Sequence, residues 1–195
     1  MNKPLIYLSG PITDCSYDGC IAWRQLAYNL LHTEFDLLDP MRVKSFLANE
    51  EVVRFHPSHG DIHPLSSLVG ISTRDNLDCQ RCDAMLLYLD SSPESQQSIG
   101  SMIEFGWVTA RNKPVILVDN RTNNIYEHPL VKLRVIRVAD LAAASDVLRG
   151  IFLPIPSGFL EKPRLKNIYS CADRYEFTPP AVFSNPANKE STLVK

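Results

Sequence analysis

The stretch Asp83-Ala-Met-Leu-Leu-Tyr-Leu-Asp90 decides the fold class. Its six central residues, 84–89, form the longest unbroken apolar run of the chain, and a carboxylate stands at each end. An apolar run without polar alternation predicts a strand that is buried on both faces, as in a parallel sheet covered by helices. We therefore interpret this stretch as the central strand of a parallel sheet.

Strand-like and helix-like segments alternate on both sides of the central strand. Apolar residues at helical spacing predict helices at 21–33 and 99–111. Thr73 and the acidic residue that soon follows it predict the start of a helix that runs to residue 82. The remaining predicted elements are strands at 3–8, 35–38, 114–118 and, at the edge, 135–138, and a last helix at 140–149 that ends at Gly150.

This alternation predicts an α/β fold, a doubly wound, flavodoxin- or Rossmann-like sandwich of about five mainly parallel strands. We expect this domain to span residues 1–152. Because six of the 14 prolines fall after residue 153, we predict that residues 153–195 form a Pro-rich C-terminal arm, extended or partly disordered. The irregular segment 41–72 is interpreted as a lid or binding loop, or as disorder, with a possible helix at 43–53.

The composition argues against several classes of protein. The formal charge is −2 and the pI is about 6.2, whereas proteins that bind polymeric nucleic acid usually have a strongly basic face. The longest apolar run is too short to span a bilayer, and the first residues lack a long apolar signal region, so we expect a cytoplasmic protein without a membrane partner. Neither GxGxxG nor GxxxxGK[ST] occurs, which excludes the common phosphate loops.

The cysteines and histidines do not form a convincing metal site in sequence. Five cysteines without a secretory signal are typical of reduced thiols. Cys79 and Cys82 form a CxxC pair, but their place between a helix and a strand favours small core residues over a zinc or redox site. His56, His59 and His63 are interpreted as part of a solvated loop, and no metal is predicted.

Two segments at the predicted strand ends carry candidate chemistry, because ligands of such sheets bind beyond the carboxyl ends of the strands. Residues 98–104 read Ser-Ile-Gly-Ser-Met-Ile-Glu where a loop enters a helix, and their hydroxyls and free N–H groups favour an anion such as phosphate. Ser98 and Glu104 can share a pocket only if Ser98 precedes the regular helix. The other segment is Tyr7-Leu-Ser-Gly-Pro11, a phenol and a tight turn after the first strand.

The combination of these motifs resembles the nucleoside 2-deoxyribosyltransferase superfamily. The resemblance covers residues 3–150 and is far more specific than any one piece. Its parts are Ile-Tyr-Leu-Ser-Gly-Pro at 6–11, Arg-Asp-Asn at 74–76, Cys-Asp-x-Met-Leu at 82–86, Ser-x-Gly-x-x-x-Glu-x-Gly-Trp at 98–107 and Asn-Lys-Pro-Val-Ile at 112–116.

The resemblance implies a role for three side chains. Glu104 fills the position of the glutamate that attacks the anomeric carbon of the sugar, and Tyr7 that of the tyrosine that holds this carboxylate. Asp75 fills the position of the aspartate that contacts the base and helps to protonate it as it leaves. The chemistry requires no cofactor. The resemblance also implies a homodimer or larger homo-oligomer in which a neighbouring subunit completes the pocket.

One departure from the transferase pattern bears on the substrate. Transferases of free nucleosides carry a carboxylate six residues before the nucleophile, whereas this chain has Ser98 there, as the related 2′-deoxynucleoside 5′-monophosphate N-hydrolases do. A hydroxyl donates to a phosphate that a carboxylate would repel. The expected substrate-binding residues are Ser9, Gly10, Pro11, Ser98, Gly100, Ser101 and Asp90.

We therefore expect an enzyme that cleaves the N-glycosidic bond of a (deoxy)nucleoside 5′-monophosphate through a glutamate nucleophile, releasing free base and sugar 5-phosphate. One alternative is a nucleoside 2-deoxyribosyltransferase that exchanges bases on deoxyribose. The other is a non-catalytic nucleotide-sensing module. The sequence leaves all three open.

Overall fold

The structure is a computed structural model, and it describes residues 2–89, 98–119 and 125–154. Asp90 and residues 155–195 of the predicted C-terminal arm lie outside this part of the chain. The described strands are β1 (Leu5–Ser9), β2 (Asp36–Leu38), β3 (Ala84–Tyr88), β4 (Val115–Val118) and β5 (Ile136–Val138). The described helices are α1 (Tyr17–Leu31), α2 (His59–Ile62), α3 (Leu68–Arg81), α4 (Ile99–Thr109), α5 (Pro129–Lys132) and α6 (Leu141–Phe152).

The five strands form one parallel sheet in the order β2-β1-β3-β4-β5, with helices on both faces. On one face, α1 and α6 bury side chains such as Trp23 and Leu148 against the sheet. On the opposite face, α3 and α4 bury Cys79, Phe105 and Val108. The predicted doubly wound α/β fold is therefore confirmed, and β5 lies at the edge as predicted.

The central strand β3 pairs with β1 on one side and β4 on the other. Its prediction from the apolar run 84–89 is confirmed, since Ala84, Met85 and Leu87 are fully buried. Asp83, the carboxylate that precedes the run, accepts a hydrogen bond from the Leu5 N–H at 2.7 Å. The Asp83 N–H in turn donates to the Leu5 carbonyl at 2.6 Å, so this residue ties the start of β3 to the start of β1.

The strand order reverses direction at β1, which has β2 on one side and β3 on the other. In doubly wound sheets a crevice forms at such a reversal, outside the carboxyl ends of the strands. Gly10 follows β1 at this point, and a Cβ added to it would lie 2.7 Å from the Tyr88 carbonyl oxygen and 2.8 Å from Cζ2 of Trp23. The close passage of the backbone between α1 and β3 therefore requires glycine.

The start of α3 differs from the prediction. The helix begins at Leu68, and its N-cap is Ser67, whose hydroxyl accepts the Gly70 N–H at 3.0 Å. The predicted start at Thr73 was wrong because the first turn is largely solvent-exposed and lacks apolar periodicity. A Cβ at Gly70 would lie 2.2 Å from the Pro64 carbonyl oxygen, so this glycine marks a close contact inside a helix rather than a break in it.

Two further boundaries were wrong. The predicted helix at 43–53 is only the short 3-10 turn Ser45–Leu47, because Val43 has a φ of 60° and turns the backbone away from a helical path. The last helix continues through Gly150 to Phe152, whose ring packs edge-on against Phe35. Among the described residues, no helix combines the length and apolar character needed to cross a membrane.

The tight fit at Gly10 generates a test of the fold. Gly10→Ala should lower the free energy of unfolding by about 1–3 kcal/mol, because the added methyl group overlaps a carbonyl oxygen and a tryptophan ring. Gly106→Ala is the matched control, since a Cβ there meets nothing within 4 Å and lies in the middle of α4. The control should be neutral or stabilising by up to about 1 kcal/mol. Urea unfolding of both variants measures the difference, and equal effects would contradict the packing described for Gly10.

Candidate active site

A cleft of about 420 Å³ opens at the carboxyl ends of β1 and β3. Four parts of the chain line it: the turn after β1, the segment after β2, α3 and the N-terminal half of α4. The residues that line it are Gly10, Pro11, Ile12, Thr13, Asp14, Lys44, Ile71, Asp75, Ser98, Ile99, Gly100, Ser101 and Glu104. The cleft therefore lies at the strand reversal, where the topology places a ligand site.

Glu104 is held by two hydroxyl groups from the first strand. Tyr7 donates its phenol proton to Oε1 of Glu104 at 2.9 Å, and Ser9 donates its hydroxyl proton to Oε2 at 2.5 Å. Residues two apart on a strand face the same side, so Tyr7 and Ser9 both point toward α4. Both are fully buried, and each carboxylate oxygen thereby receives one protein donor.

The environment of Glu104 shifts its ionisation toward neutral pH. Burial raises the pKa of its carboxyl to about 7, and the nearby Asp75 carboxylate adds to this rise. The hydrogen bonds from Ser9 and Tyr7 and the charge of Arg24 oppose it. Burial also raises the pKa of Tyr7 well above its ordinary value, which keeps the phenol protonated as a donor. At neutral pH a substantial fraction of Glu104 is thus a poorly hydrated carboxylate.

Asp75 lines the same cleft from α3 and is paired with its neighbour Arg74. Nε and Nη2 of Arg74 approach Oδ1 of Asp75 at 2.9 and 2.8 Å. Burial raises the pKa of the Asp75 carboxyl, and the Arg74 charge offsets part of the rise. Arg74 also donates to the Pro40 carbonyl at 2.8 Å, so it fixes Asp75 and the segment after β2 together.

The N-terminus of α4 forms another wall of the cleft. Ser98 is the N-cap, and its Oγ accepts the Ser101 N–H at 3.3 Å and lies 2.8 Å from the Ser101 hydroxyl. Ser98 and Glu104 were expected to share a pocket only if Ser98 came before the regular helix. Ser98 does precede the helix, and it lines the cleft together with Glu104. Gly100 is exposed, and a Cβ there would meet nothing within 4 Å, so a ligand can approach this turn. The Ser101 N–H is already bonded to Ser98, which leaves the N–H groups of Ile99 and Gly100 as the donors of the first turn without a partner inside the helix.

The remaining expected substrate-binding residues do not all face the cleft as those at the start of α4 do. Ser9 is fully buried, and its hydroxyl proton goes to Glu104 rather than into the cleft. Gly10 and Pro11 line the cleft, and the Gly10 carbonyl accepts a hydrogen bond from Arg24. Asp90 lies outside the described residues.

Sequence reasoning missed Lys44. This lysine is only 7% exposed and lines the cleft with Asp75 and Glu104. Nothing in the sequence marked it, because it lies in the irregular segment after β2 and belongs to none of the recognised motifs. Arg24 on α1 is buried and does not line this cleft; its guanidinium donates to the Cys20 carbonyl at 2.6 Å and pairs with Asp39. Arg24 therefore supports the fold beneath the site.

The described residues contain no group of three or more His, Cys, Asp or Glu side chains arranged to hold a metal ion. Cys79 and Cys82 are buried in the core between the sheet and α3. His59 contacts the ring of Phe46 with centroids 5.2 Å apart.

A larger depression of about 540 Å³ lies between α1 and β2, away from the residues around Glu104.

No protein-family profile and no curated protein sequence matches this chain. In structure, the chain is similar to the molybdenum cofactor binding protein of the phototrophic bacterium Rippkaea orientalis, with 15% identity, 77% of this chain and 98% of that chain covered, and a TM-score of 0.49. It is similar to the molybdenum cofactor carrier protein of Chlamydomonas reinhardtii, with 18% identity and a TM-score of 0.49; the match covers 77% of this chain and 98% of that chain. It is also similar to the CMP N-glycosidase BcmB of Clostridium botulinum, with 15% identity, 74% and 97% covered, and a TM-score of 0.41. Likenesses of this degree concern the arrangement of strands and helices alone, and we take no chemistry from them.

Proposed function

We propose that this chain is an N-glycosidase of the nucleoside 2-deoxyribosyltransferase superfamily that hydrolyses a (deoxy)nucleoside 5′-monophosphate to free base and sugar 5-phosphate. The observation that carries the proposal is the Glu104 carboxylate, which lies in a cleft with one oxygen bound to Tyr7 and the other to Ser9. A binding module has little use for a carboxylate that two neutral hydroxyls hold in a cleft. A nucleophile of a glycosyl-transfer reaction needs an ionisable carboxylate held in a fixed orientation.

The proposed reaction begins with attack of Glu104 on the anomeric carbon. Cleavage of a C–N glycosidic bond passes through a state in which that carbon resembles an oxocarbenium ion, and a nearby carboxylate stabilises it and then bonds to it. Tyr7 and Ser9 fix the orientation of the carboxylate and leave a second lone pair on each oxygen for the sugar. Water then hydrolyses the glycosyl ester and frees Glu104.

The N-terminus of α4 supports a phosphate on the substrate. The Ser98 and Ser101 hydroxyls and the open turn at Gly100 lie in the same cleft as Glu104. Helix N-termini favour anions through free N–H groups and the positive end of the helix dipole. We assign the 5′-phosphate to this turn, which leaves the base to contact Asp75 at the side of the cleft formed by α3.

The proposal is tested by measuring base release from each ribo- and deoxynucleoside and from its 5′-monophosphate, with and without a free acceptor base. Glu104→Gln should lower the rate of base release at least about 1,000-fold, because the amide is a poor nucleophile. Glu34→Gln is the matched control, since Glu34 is a carboxylate paired with Arg149 away from the cleft, and its rate should stay within twofold of wild type. If Glu104→Gln released base at the wild-type rate, Glu104 would be excluded as the nucleophile.

The same assay separates the competing substrates. Ser98→Ala should raise KM for monophosphates about tenfold or more, because a hydrogen bond to a charged group contributes about 1.5–3 kcal/mol. KM for nucleosides, which lack the phosphate, should stay unchanged. Ser16→Ala removes the equivalent cap of α1 and controls for helix stability. Cleavage of nucleosides but not of monophosphates would contradict the phosphate assignment. Base exchange without hydrolysis would identify a deoxyribosyltransferase, and an inert wild-type protein that binds nucleotides would identify a sensing module.

The pH dependence follows from the ionisation of Glu104. Because the carboxylate form attacks, kcat/KM should rise with pH up to about 7 and fall about tenfold per unit below it. Tyr7→Phe removes a hydrogen bond that favours the charged form, so the acidic limb should move to higher pH. Tyr28→Phe, at an exposed tyrosine of α1, is the control and should leave the limb in place. An acidic limb unmoved by Tyr7→Phe would contradict the assignment of this limb to Glu104.

A further inference from the structure

Lys44 is a buried cation without a protein partner. Its side chain is 7% exposed and lines the cleft with Asp75 and Glu104. Within residues 2–89, 98–119 and 125–154, its ammonium makes no hydrogen bond or ion pair. Nζ of Lys44 is not one of the fully buried atoms that lack a hydrogen-bond partner, so the ammonium reaches the open space of the cleft, where it can bind a ligand.

The backbone around Lys44 is built to hold this residue in place. The Lys44 N–H donates to the Met41 carbonyl at 3.1 Å, and the Lys44 carbonyl accepts the Leu47 N–H at 3.0 Å. Met41 and Leu47 are both buried and anchor the turn on either side. Val43 has a φ of 60°, a left-handed conformation that a β-branched residue rarely adopts and that costs free energy. Strain of this kind persists where the surrounding structure fixes it, often beside a functional group.

The position of Lys44 within the cleft is at the end away from α4. A small cavity of about 70 Å³ adjoins the cleft and shares Ile12, Thr13, Lys44 and Ile71 with it, but none of the α4 residues. Ile71 lies one turn before Asp75 on α3, so both face the same side. If the phosphate lies at the N-terminus of α4, the base lies at the end of the cleft that holds Lys44 and Asp75.

We propose that Lys44 is the catalytic acid that protonates the departing base, an inference that rests on the proposed N-glycosidase function. The geometry points to it because Lys44 offers three N–H donors at the base end of the cleft, whereas Arg74 occupies one oxygen of Asp75. Asp75 then positions the base by accepting a hydrogen bond from one of its N–H groups. A departing base accumulates negative charge on its nitrogen, and a cation at that place stabilises the charge before the proton moves.

The ionisation of Lys44 is consistent with this role. Burial and the nearby Arg74 charge lower its pKa to about 8, and Arg24 contributes in the same direction. The carboxylates of Asp75 and Glu104 oppose this decrease. An acid with a pKa near the working pH is mostly protonated before the reaction and gives up its proton readily.

The proposed steps balance. In the first, an oxygen of the Glu104 carboxylate bonds to C1′, the C1′–N bond breaks with its electron pair on the base nitrogen, and that nitrogen takes a proton from the Lys44 ammonium. The products are neutral base, glycosyl-Glu104 and neutral Lys44. In the second, a water oxygen bonds to C1′, the ester bond to Glu104 breaks, and the neutral Lys44 amine takes a water proton. Both side chains return to their starting charge.

The test uses Lys44→Met in the full chain with two substrates. Methionine retains an unbranched side chain and removes the charge. For the nucleoside 5′-monophosphate that wild type cleaves fastest, base release should fall about 100- to 10,000-fold, and the alkaline limb of the pH profile near 8 should disappear while the acidic limb remains. For 4-nitrophenyl 2-deoxyribofuranoside 5-phosphate, whose leaving group departs without a proton, the fall should be less than about tenfold.

Two controls keep the outcome interpretable. Lys132→Met removes an exposed lysine that pairs with Glu127, and it should match wild type with both substrates. Thermal unfolding of Lys44→Met should show an unchanged or higher Tm, because a charge that makes no hydrogen bond or ion pair in a largely buried side chain has been replaced by an apolar group.

The outcomes distinguish this inference from the function it rests on. If wild type releases base from no substrate, the N-glycosidase proposal and the Lys44 proposal both fail. If wild type is active and Lys44→Met matches it or retains the alkaline limb, only the Lys44 proposal fails. An equal loss with both substrates would make Lys44 a positioning residue and overturn its role as the acid.

Discussion

Two hydrogen bonds from β1 to Glu104 on α4 hold the central side chain of the candidate site in place. Tyr7 and Ser9 reach the two oxygens of Glu104 only because a strand places alternate residues on one face and because α4 packs on that face of the sheet. A carboxylate removed from water is costly to bury unless donors satisfy it, and these hydroxyls are those donors. They keep Glu104 ionisable near neutral pH instead of wholly protonated. Gly10 completes the arrangement, because the turn after β1 passes too close to Tyr88 for any side chain.

The charged and polar groups around the cleft fall into three separate sets: the Arg74–Asp75 ion pair, the Glu104 carboxylate and the turn at the start of α4. Arg74 pairs with Asp75 and, through backbone carbonyls after β2, also fixes the segment that carries Lys44. Glu104 is bound by neutral hydroxyls rather than by a cation, which leaves its negative charge for an electron-poor carbon. The turn at the start of α4 offers N–H groups and hydroxyls, with no side-chain carboxylate at Ser98 to repel an anion. Under the proposed function, a protein with a net charge of −2 would bind its anionic substrate through this local geometry.

The fold was predictable from the sequence where patterning was strong. The apolar run 84–89 identified the central strand, and the alternation around it identified the doubly wound sheet. The motifs around Tyr7 and Glu104 predicted residues that the structure brings together, since buried Tyr7 donates a hydrogen bond to Glu104, which lines the cleft. Lys44 was not predictable, because its position depends on buried anchors and a left-handed Val43 within a segment that has no periodic pattern. Ser9 was expected to face the substrate, and only the packing of α4 against β1 shows that its hydroxyl goes to Glu104.

The most direct test of the account is whether Glu104 becomes covalently glycosylated. A 2-deoxy-2-fluoro analogue of the cleaved nucleotide destabilises the oxocarbenium-like state and slows hydrolysis of the glycosyl ester, so the intermediate accumulates. Mass spectrometry of the digested protein should then show one fluorinated sugar phosphate on the peptide that contains Glu104, and none in Glu104→Gln. Release of the base with no adduct, or an adduct on another residue, would contradict the assignment of Glu104 as the nucleophile.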